Sequence, residues 1–147
     1  MSVLYPGSSS LVEKLDINFL SVPVNDGSIK LCKFEVDIYK MIHSEASLPV
    51  GYIFKINNFK LGFSGDTSWH TGIPLFVNRC DKIILECNFS ERLGESHISV
   101  DELEASSEIQ LKKKDIYLTH LHEDPSYRAR NLGYNTLSDS DELYFKT

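Results

Sequence analysis

Four predicted strands end in side chains that bind metals or transfer protons. These side chains are His43, Asp66, Glu86 and His120, and each follows a short hydrophobic run. Because ligands of α/β proteins gather at the carboxyl ends of strands, we expect the four to meet at one edge of a sheet. Imidazole and carboxylate groups on rigid strand ends are what a zinc or manganese site requires. One histidine after a strand is weak evidence, but the set predicts a metal centre.

Five motifs extend this pattern along most of the chain. They are His43 with Gly51-Tyr52, the Ser-Gly-Asp-Thr loop at 64–67, Leu85-Glu86, His97-Ile98-Ser99 and Leu118-Thr119-His120. The Gly65-Asp66 pair alone is also typical of an ordinary turn. In this order, however, the motifs make residues 36–145 resemble the second half of metallo-β-lactamase-fold hydrolases, most of all the ribonuclease Z and phosphodiesterase branch.

The resemblance implies a role for each matched residue. His43 would bind a first metal ion, His120 a second, and Asp66 would bridge both as a catalytic carboxylate. His97 would be the catalytic acid that protonates the leaving oxygen, while Glu86 would orient a ligand histidine without binding metal itself. Two such ions polarise a phosphoryl group and generate a nucleophile near neutral pH, with zinc the first choice and manganese the second.

Three aromatic residues near these motifs receive no role in this scheme. We expect His70 to lie in a loop near the mouth of the site and His122 to have no ligand role. Trp69 is expected to pack against its neighbours rather than to form a substrate wall.

The first-half motif of the family, His-x-His-x-Asp-His, is missing, because no histidine precedes His43. The remaining residues give each metal two protein ligands with Asp66 shared, and two ligands bind a metal weakly. We therefore expect residues 1–147 to form one partial domain, completed by a second copy or a separate chain. A split subunit, a truncated relative that only binds, and an excised part of a longer protein all fit this pattern.

Local signals predict the elements that position the site. The chain should form a hairpin around Asn57-Asn58, strands at 82–87 and 115–119, a helix from the Ser99 capping box to Leu111, and a helix starting at Asp124-Pro125 and ending at Gly133. Upstream we expect a helix after residues 8–10 and strands at 17–24 and 29–42. This order predicts an α/β fold, the second half of an αββα sandwich with a mixed sheet, hairpins and helices on the outer face.

Composition limits the function. The formal net charge of −6 disfavours a broad grip on nucleic acid and favours a nucleotide-sized substrate over a long RNA. The sequence has no apolar run of membrane length and no signal-peptide pattern at its start, and its three cysteines lack metal-type spacing, so we expect reduced thiols in the cytoplasm.

Phosphodiester hydrolysis by a two-metal centre, completed by the missing half, is the predicted function. One alternative is a non-catalytic interaction domain that uses an exposed sheet edge and apolar face. Another is hydrolysis of a thioester or a lactam, which the His97-Ile98-Ser99 motif disfavours.

Overall fold

A single seven-stranded sheet organises the chain in the computed structural model, which describes residues 27–31, 34–44, 46–92 and 96–145. The strands lie side by side in chain order. They are β1 Ser28–Leu31, β2 Phe34–Lys40, β3 Val50–Ile56, β4 Phe59–Phe63, β5 Lys82–Glu86, β6 Ile116–Thr119 and β7 Asn135–Thr136. The predicted helix after residues 8–10, the strand at 17–24 and Cys32 lie outside the described residues.

The first four strands form antiparallel hairpins. The predicted hairpin around Asn57 is confirmed, and Asn57 has a positive φ of 55°. Asparagine tolerates this conformation better than most residues, which explains its place in the turn. At Gly51 in β3, a Cβ would overlap the Met41 methyl group, so the strand approaches its neighbour closely because a side chain is missing there.

Parallel pairing builds the second half of the sheet. Strand β4 pairs with β5, β5 with β6, and β6 with β7, all in parallel. The predicted α/β class with a mixed sheet is therefore confirmed, and the hairpins and the parallel strands form one continuous sheet. Burial alternates along β5 and β6, where Ile83, Leu85, Ile116 and Leu118 are almost fully buried. Side chains at every second position of a strand share one face, so these four contribute to the core.

Short helices connect the parallel strands. They are α1 Gly72–Asn78, α2 Val100–Ala105, α3 Ser107–Lys112 and α4 Glu123–Asn131. Buried side chains on α1 and α2, including Phe76, Val77 and Leu103, complete the core. In the part of the chain that the structure describes, no helix has the length and apolar character of a membrane span.

The predicted continuous helix from Ser99 to Leu111 is wrong. The capping box is present: the Ser99 hydroxyl accepts the Glu102 N–H, and the Glu102 carboxylate accepts the Ser99 N–H. The helix stops at Ala105 because Ser106 is extended, and the Ser106 hydroxyl then caps a second helix by accepting the Ile109 N–H. A serine side chain competes for backbone hydrogen bonds in this way, which favours caps over helix interiors.

The predicted start of the last helix is also wrong by two residues. Helix α4 begins at Glu123, with His122 at its N-cap, so Pro125 occupies the third helical position rather than the first. Proline is tolerated there because the first four N–H groups of a helix have no partner within the helix. The predicted stop at Gly133 is confirmed, since Gly133 has a φ of 87°.

Candidate metal centre

Strand direction brings the four predicted strand ends to one edge of the sheet. Strands β4, β5 and β6 are parallel, and β2 runs in the same direction because β3 is antiparallel to both β2 and β4. His43, Asp66, Glu86 and His120 therefore lie at the same edge, each at or after the carboxyl end of its strand.

Three imidazoles form the middle of this edge. His97 comes from the loop between β5 and α2, and its ring centroid lies 4.8 Å from that of His43 and 4.9 Å from that of His120. Both contacts are edge-to-face. His97 thus lies between the two predicted metal ligands.

Asp66 lies beside His120 and faces solvent. Its Oδ1 is 3.4 Å from His120 Nδ1, and the two side chains are 54% and 42% exposed. Gly65, with a φ of 60°, turns the chain into Asp66, and His120 itself has a φ of 63°. A positive φ is unfavourable for histidine, and such strained residues are concentrated at functional sites.

Glu86 connects two of the loops that carry these side chains. Its Oε1 accepts the N–H of Thr67 at 3.2 Å and that of Ile98 at 3.0 Å. Thr67 follows Asp66, and Ile98 follows His97, so one buried carboxylate determines the path of both loops. The Glu86 N–H also donates to Ser64 Oγ at 2.9 Å. Because Ser64 precedes Asp66, this hydrogen bond attaches the Asp66 loop to β5 on the N-terminal side of Asp66.

The Glu86 carboxylate also contacts the central histidine. Glu86 Oε1 and His97 Nδ1 are 3.4 Å apart, but their geometry is not that of a hydrogen bond, and buried Glu86 Oε2 and His97 Nδ1 have no partner. Burial raises the pKa of Glu86 to about 8. Burial, followed by the nearby imidazoles of His120 and His43, lowers the pKa of His97. Both shifts favour the uncharged form of the group.

Two further contacts orient the outer histidines. His43 Nδ1 lies 2.6 Å from the Ser96 carbonyl oxygen. In metal sites a ligand histidine commonly donates one ring N–H to a carbonyl, which leaves the other nitrogen for the metal. Asn88 Nδ2 lies 3.3 Å from His120 Nε2. Neither Ser96 nor Asn88 is predicted from the sequence, although Asn88 follows Glu86 by only two residues.

The donor set suits a divalent metal ion in two overlapping ways. Two ligands of one tetrahedral zinc ion lie about 3.4 Å apart, and Asp66 Oδ1 and His120 Nδ1 have this separation. Glu86, His97 and His120 also each offer a ligand atom within 4.8 Å of the others. We favour the set with Asp66, because Glu86 Oε1 already accepts two backbone N–H groups and solvent-facing Asp66 remains open to an ion.

The other two histidines have local structural roles. His70 is half-buried, and its Nδ1 accepts the Gly72 N–H at 3.1 Å, so it shapes the loop before α1. His122 is exposed at the N-cap of α4. Trp69 packs against the core, as the sequence analysis expects.

The family model for the anti-Pycsar protein Apyc1 matches residues 4–144, which is nearly the whole chain. The chain belongs to this family. No protein with a curated description matches the sequence.

Solved structures show the fold of this Apyc1-family chain. The metallo-β-lactamase-fold protein YhfI from Bacillus subtilis is 16% identical, with a TM-score of 0.62 over 88% of this chain and 58% of YhfI. A diphosphatase of the PhnP family is 20% identical, with a TM-score of 0.62 over 83% of this chain and 47% of the diphosphatase. The short form of human tRNase Z is 16% identical, with a TM-score of 0.50 over 75% of this chain and 41% of that protein. The predicted metallo-β-lactamase fold is confirmed, and the chain spans about half the length of these proteins.

Removal of the Glu86 carboxylate should destabilise the Apyc1-family chain. In Glu86→Ala two buried N–H groups, those of Thr67 and Ile98, lose their acceptor, and we expect a loss of about 2–4 kcal/mol in the free energy of unfolding. Glu86→Gln retains an acceptor oxygen and should lose much less. Urea denaturation measures both variants, and equal stability of Glu86→Ala and the unmodified chain would contradict the role of Glu86.

Metal titration should separate the two overlapping ligand sets. If Asp66 and His120 bind the ion, Asp66→Asn and His120→Ala should each weaken zinc binding by at least about tenfold, and Glu86→Gln by less. His122→Ala is the matched control for His120→Ala and should bind zinc like the unmodified chain. Calorimetry gives the affinities, and a larger loss in Glu86→Gln than in Asp66→Asn would favour the set with Glu86.

Proposed function

We propose that this chain provides part of the active site of a metal-dependent phosphodiesterase that acts on a nucleotide-sized substrate. The observation that carries the proposal is the position of His97 between His43 and His120, with Asp66 beside His120. A side chain that can transfer protons thus lies next to residues that suit a metal ion, which supports the proposal.

The metal would be held by His43, Asp66 and His120, with Asp66 shared between two ions and zinc preferred over manganese. When bound, such ions polarise a phosphoryl group and provide a nucleophile near neutral pH. His97 would donate a proton to the departing oxygen. Glu86 Oε1 lies 3.4 Å from His97 Nδ1, so Glu86 would help to position the ring.

Charge supports a small substrate. The chain has a net charge of −6, which repels the long phosphate backbone of an RNA more strongly than a single nucleotide. The PhnP-family diphosphatase and tRNase Z act on phosphorus–oxygen bonds by their names, and they share this fold. Hydrolysis of a thioester or a lactam is the alternative reaction, and the His97-Ile98-Ser99 motif disfavours it.

A partner chain is the second part of the proposal. His43, Asp66 and His120 supply too few ligands for two tightly bound ions, so the remaining ligands would come from a second copy or a chain with the His-x-His-x-Asp-His motif. Exposed apolar side chains flank the site in sequence: Ile42 and Leu48 lie on either side of His43, and Phe63 precedes the Asp66 loop. Burial of such side chains drives association. The proposed location is the cytoplasm, as the reduced cysteines suggest.

The leaving group tests the role of His97. A p-nitrophenolate departs without a proton, whereas the alkoxide of a nucleotide needs one. In the assembled protein, His97→Ala should therefore slow hydrolysis of a nucleotide phosphodiester by about 10²–10⁴-fold and hydrolysis of bis(p-nitrophenyl) phosphate far less. Asp66→Ala should abolish both reactions. Equal losses with both substrates in His97→Ala would show that His97 holds the metal or the fold instead of donating a proton.

Association should depend on the apolar residues beside the site. Sedimentation at low micromolar concentration should show a complex that buries more than about 1,000 Å², and Leu48→Lys should weaken it. The control is Leu111→Lys, because Leu111 is 88% exposed and Leu48 85% exposed but Leu111 lies on α3. The isolated chain should show little turnover with added zinc or manganese.

Two outcomes would change this account. If the protein is a monomer that unfolds cooperatively and binds no dye for apolar surface, the proposal of a partner chain is wrong. The alternative of a non-catalytic binding domain would then be favoured. Rapid turnover by the isolated monomer, abolished by Asp66→Ala, would show that the chain needs no further ligands.

A further inference from the structure

One arginine side chain of helix α4 contacts the segment that carries His97. Arg128 Nη1 donates to the Ser90 carbonyl oxygen at 2.5 Å, and Arg128 Nη2 donates to Asp101 Oδ1 at 2.5 Å. Ser90 precedes His97 in the connection between β5 and α2, and Asp101 follows it in α2. A single guanidinium group therefore contacts the chain on both sides of His97.

The backbone on these two sides is also hydrogen-bonded. The Asn88 N–H donates to the Ile98 carbonyl oxygen at 3.0 Å, and the Asp101 N–H donates to the Ser90 carbonyl oxygen at 3.3 Å. His97 immediately precedes Ile98, so its backbone lies next to this pairing. A side chain that holds Ser90 and Asp101 therefore also restrains the backbone of His97.

A second side chain of α4 contacts the same segment. Ser90 Oγ donates to Asp124 Oδ2 at 2.6 Å. Asp124 is in the first turn of α4 and Arg128 follows four residues later, so both side chains lie on one face of the helix. This face thus offers a carboxylate to a hydroxyl group and a guanidinium group to two oxygen acceptors.

The same helix begins shortly after His120. Only Leu121 separates His120 from His122, which is the N-cap of α4. The ring of His120 lies 4.9 Å from the ring of His97. The contacts of Arg128 therefore join the two segments that carry these neighbouring rings.

Arginine suits such a contact for geometric reasons. Its planar guanidinium group holds several N–H donors in fixed directions, whereas a lysine ammonium group is a point charge on a flexible stem. The side chains of Arg128 and Asp101 are 37% and 45% exposed, and ion pairs near the surface add little to stability. Arg128 should therefore affect the geometry of the site more than the stability of the fold.

We propose that Arg128 is a positioning residue that fixes the distance between His97 and His120. The proposal rests on the proposed function, in which His97 donates a proton beside the metal ligand His120. Glu86 fixes the His97 segment relative to the Asp66 loop, and Arg128 fixes it relative to His120. Displacement of a reacting group by about 1 Å can slow a reaction by about 10²-fold, so this spacing matters for catalysis.

The spacing of the two rings can be tested without catalysis. In the ¹³C-labelled full chain, a nuclear Overhauser effect should connect the ring protons of His97 and His120. Arg128→Gln and Arg128→Lys should both lose this signal, because neither side chain reproduces the two-pronged donor, while urea denaturation should show little change in the free energy of unfolding. Arg92→Gln is the matched control and should retain the signal, because Arg92 forms its ion pair with Glu102 of α2 at 3.3 Å.

Kinetics of the assembled protein provide a second measurement. Arg128→Gln should lower kcat for a nucleotide phosphodiester by about 10- to 100-fold, with a smaller change in KM. Hydrolysis of bis(p-nitrophenyl) phosphate should change less, because its leaving group needs no proton from His97. Equal losses with both substrates would contradict a role of Arg128 in positioning His97.

The ring signal decides between the possible outcomes. An unchanged signal in folded Arg128 variants would overturn the proposal. If those variants do not fold, Asp101→Asn replaces the charged acceptor of Arg128 and should weaken the signal, and an unchanged signal there would overturn the proposal as well. Loss of the signal in Arg128→Gln, in an assembled protein that hydrolyses no phosphodiester, would support the positioning role and contradict only the proposed reaction.

Discussion

The Glu86 carboxylate accepts backbone N–H groups from two loops, and the geometry of the site depends on these two hydrogen bonds. They join the chain after Asp66 and the chain after His97 at the end of β5, where Ser64 and Asn88 add further backbone hydrogen bonds. Burying a carboxyl group is unfavourable, and the raised pKa of Glu86 is the consequence. The two N–H groups offset part of this cost because each gives a buried acceptor a donor. Because these hydrogen bonds are buried at the edge of the sheet, they keep the side chains of the site oriented before a ligand binds.

Backbone conformation also orients the side chains of the site. Gly65 and His120 both have a positive φ, and both lie just beyond parallel strands, where the chain must turn to present Asp66 and the His120 ring to each other. Glycine adopts this conformation without a steric cost, whereas histidine does so only when its surroundings determine it. At His120 the surroundings are the buried strand β6 before it and helix α4 after it. The packed core of the sheet thus maintains a conformation that a free peptide would avoid.

The same edge of the sheet has a buried inner layer and an exposed outer layer. Glu86 and Ile98 are buried beneath it, while Asp66 and His120 are about half exposed and Leu48 projects into solvent. A buried inner layer and an uncovered outer layer are suited to a surface on which another chain completes the site.

Local sequence patterns determined the elements and most of the candidate site. The Asn57 hairpin, the Ser99 capping box and the Gly133 helix stop follow from single residues whose preferences act over three or four positions, and the structure has all three. The convergence of His43, Asp66, Glu86 and His120 was predictable because each of them follows a hydrophobic strand. The carboxyl ends of parallel strands lie at the same edge of a sheet.

Tertiary structure decided the features that depend on residues far apart in the chain. The hydrogen bond from Ile98 to Glu86 and the proximity of Asn88 to His120 join positions 12 and 32 residues apart, and no local pattern contains them. The break at Ser106 was missed because a serine suits both a helix and a cap, and packing selects between the two. The contacts of Arg128 with the segment before α2 and with α2 itself likewise join positions 38 and 27 residues apart. Sequence specifies which groups are available, and the pairing of distant strands determines which of them meet.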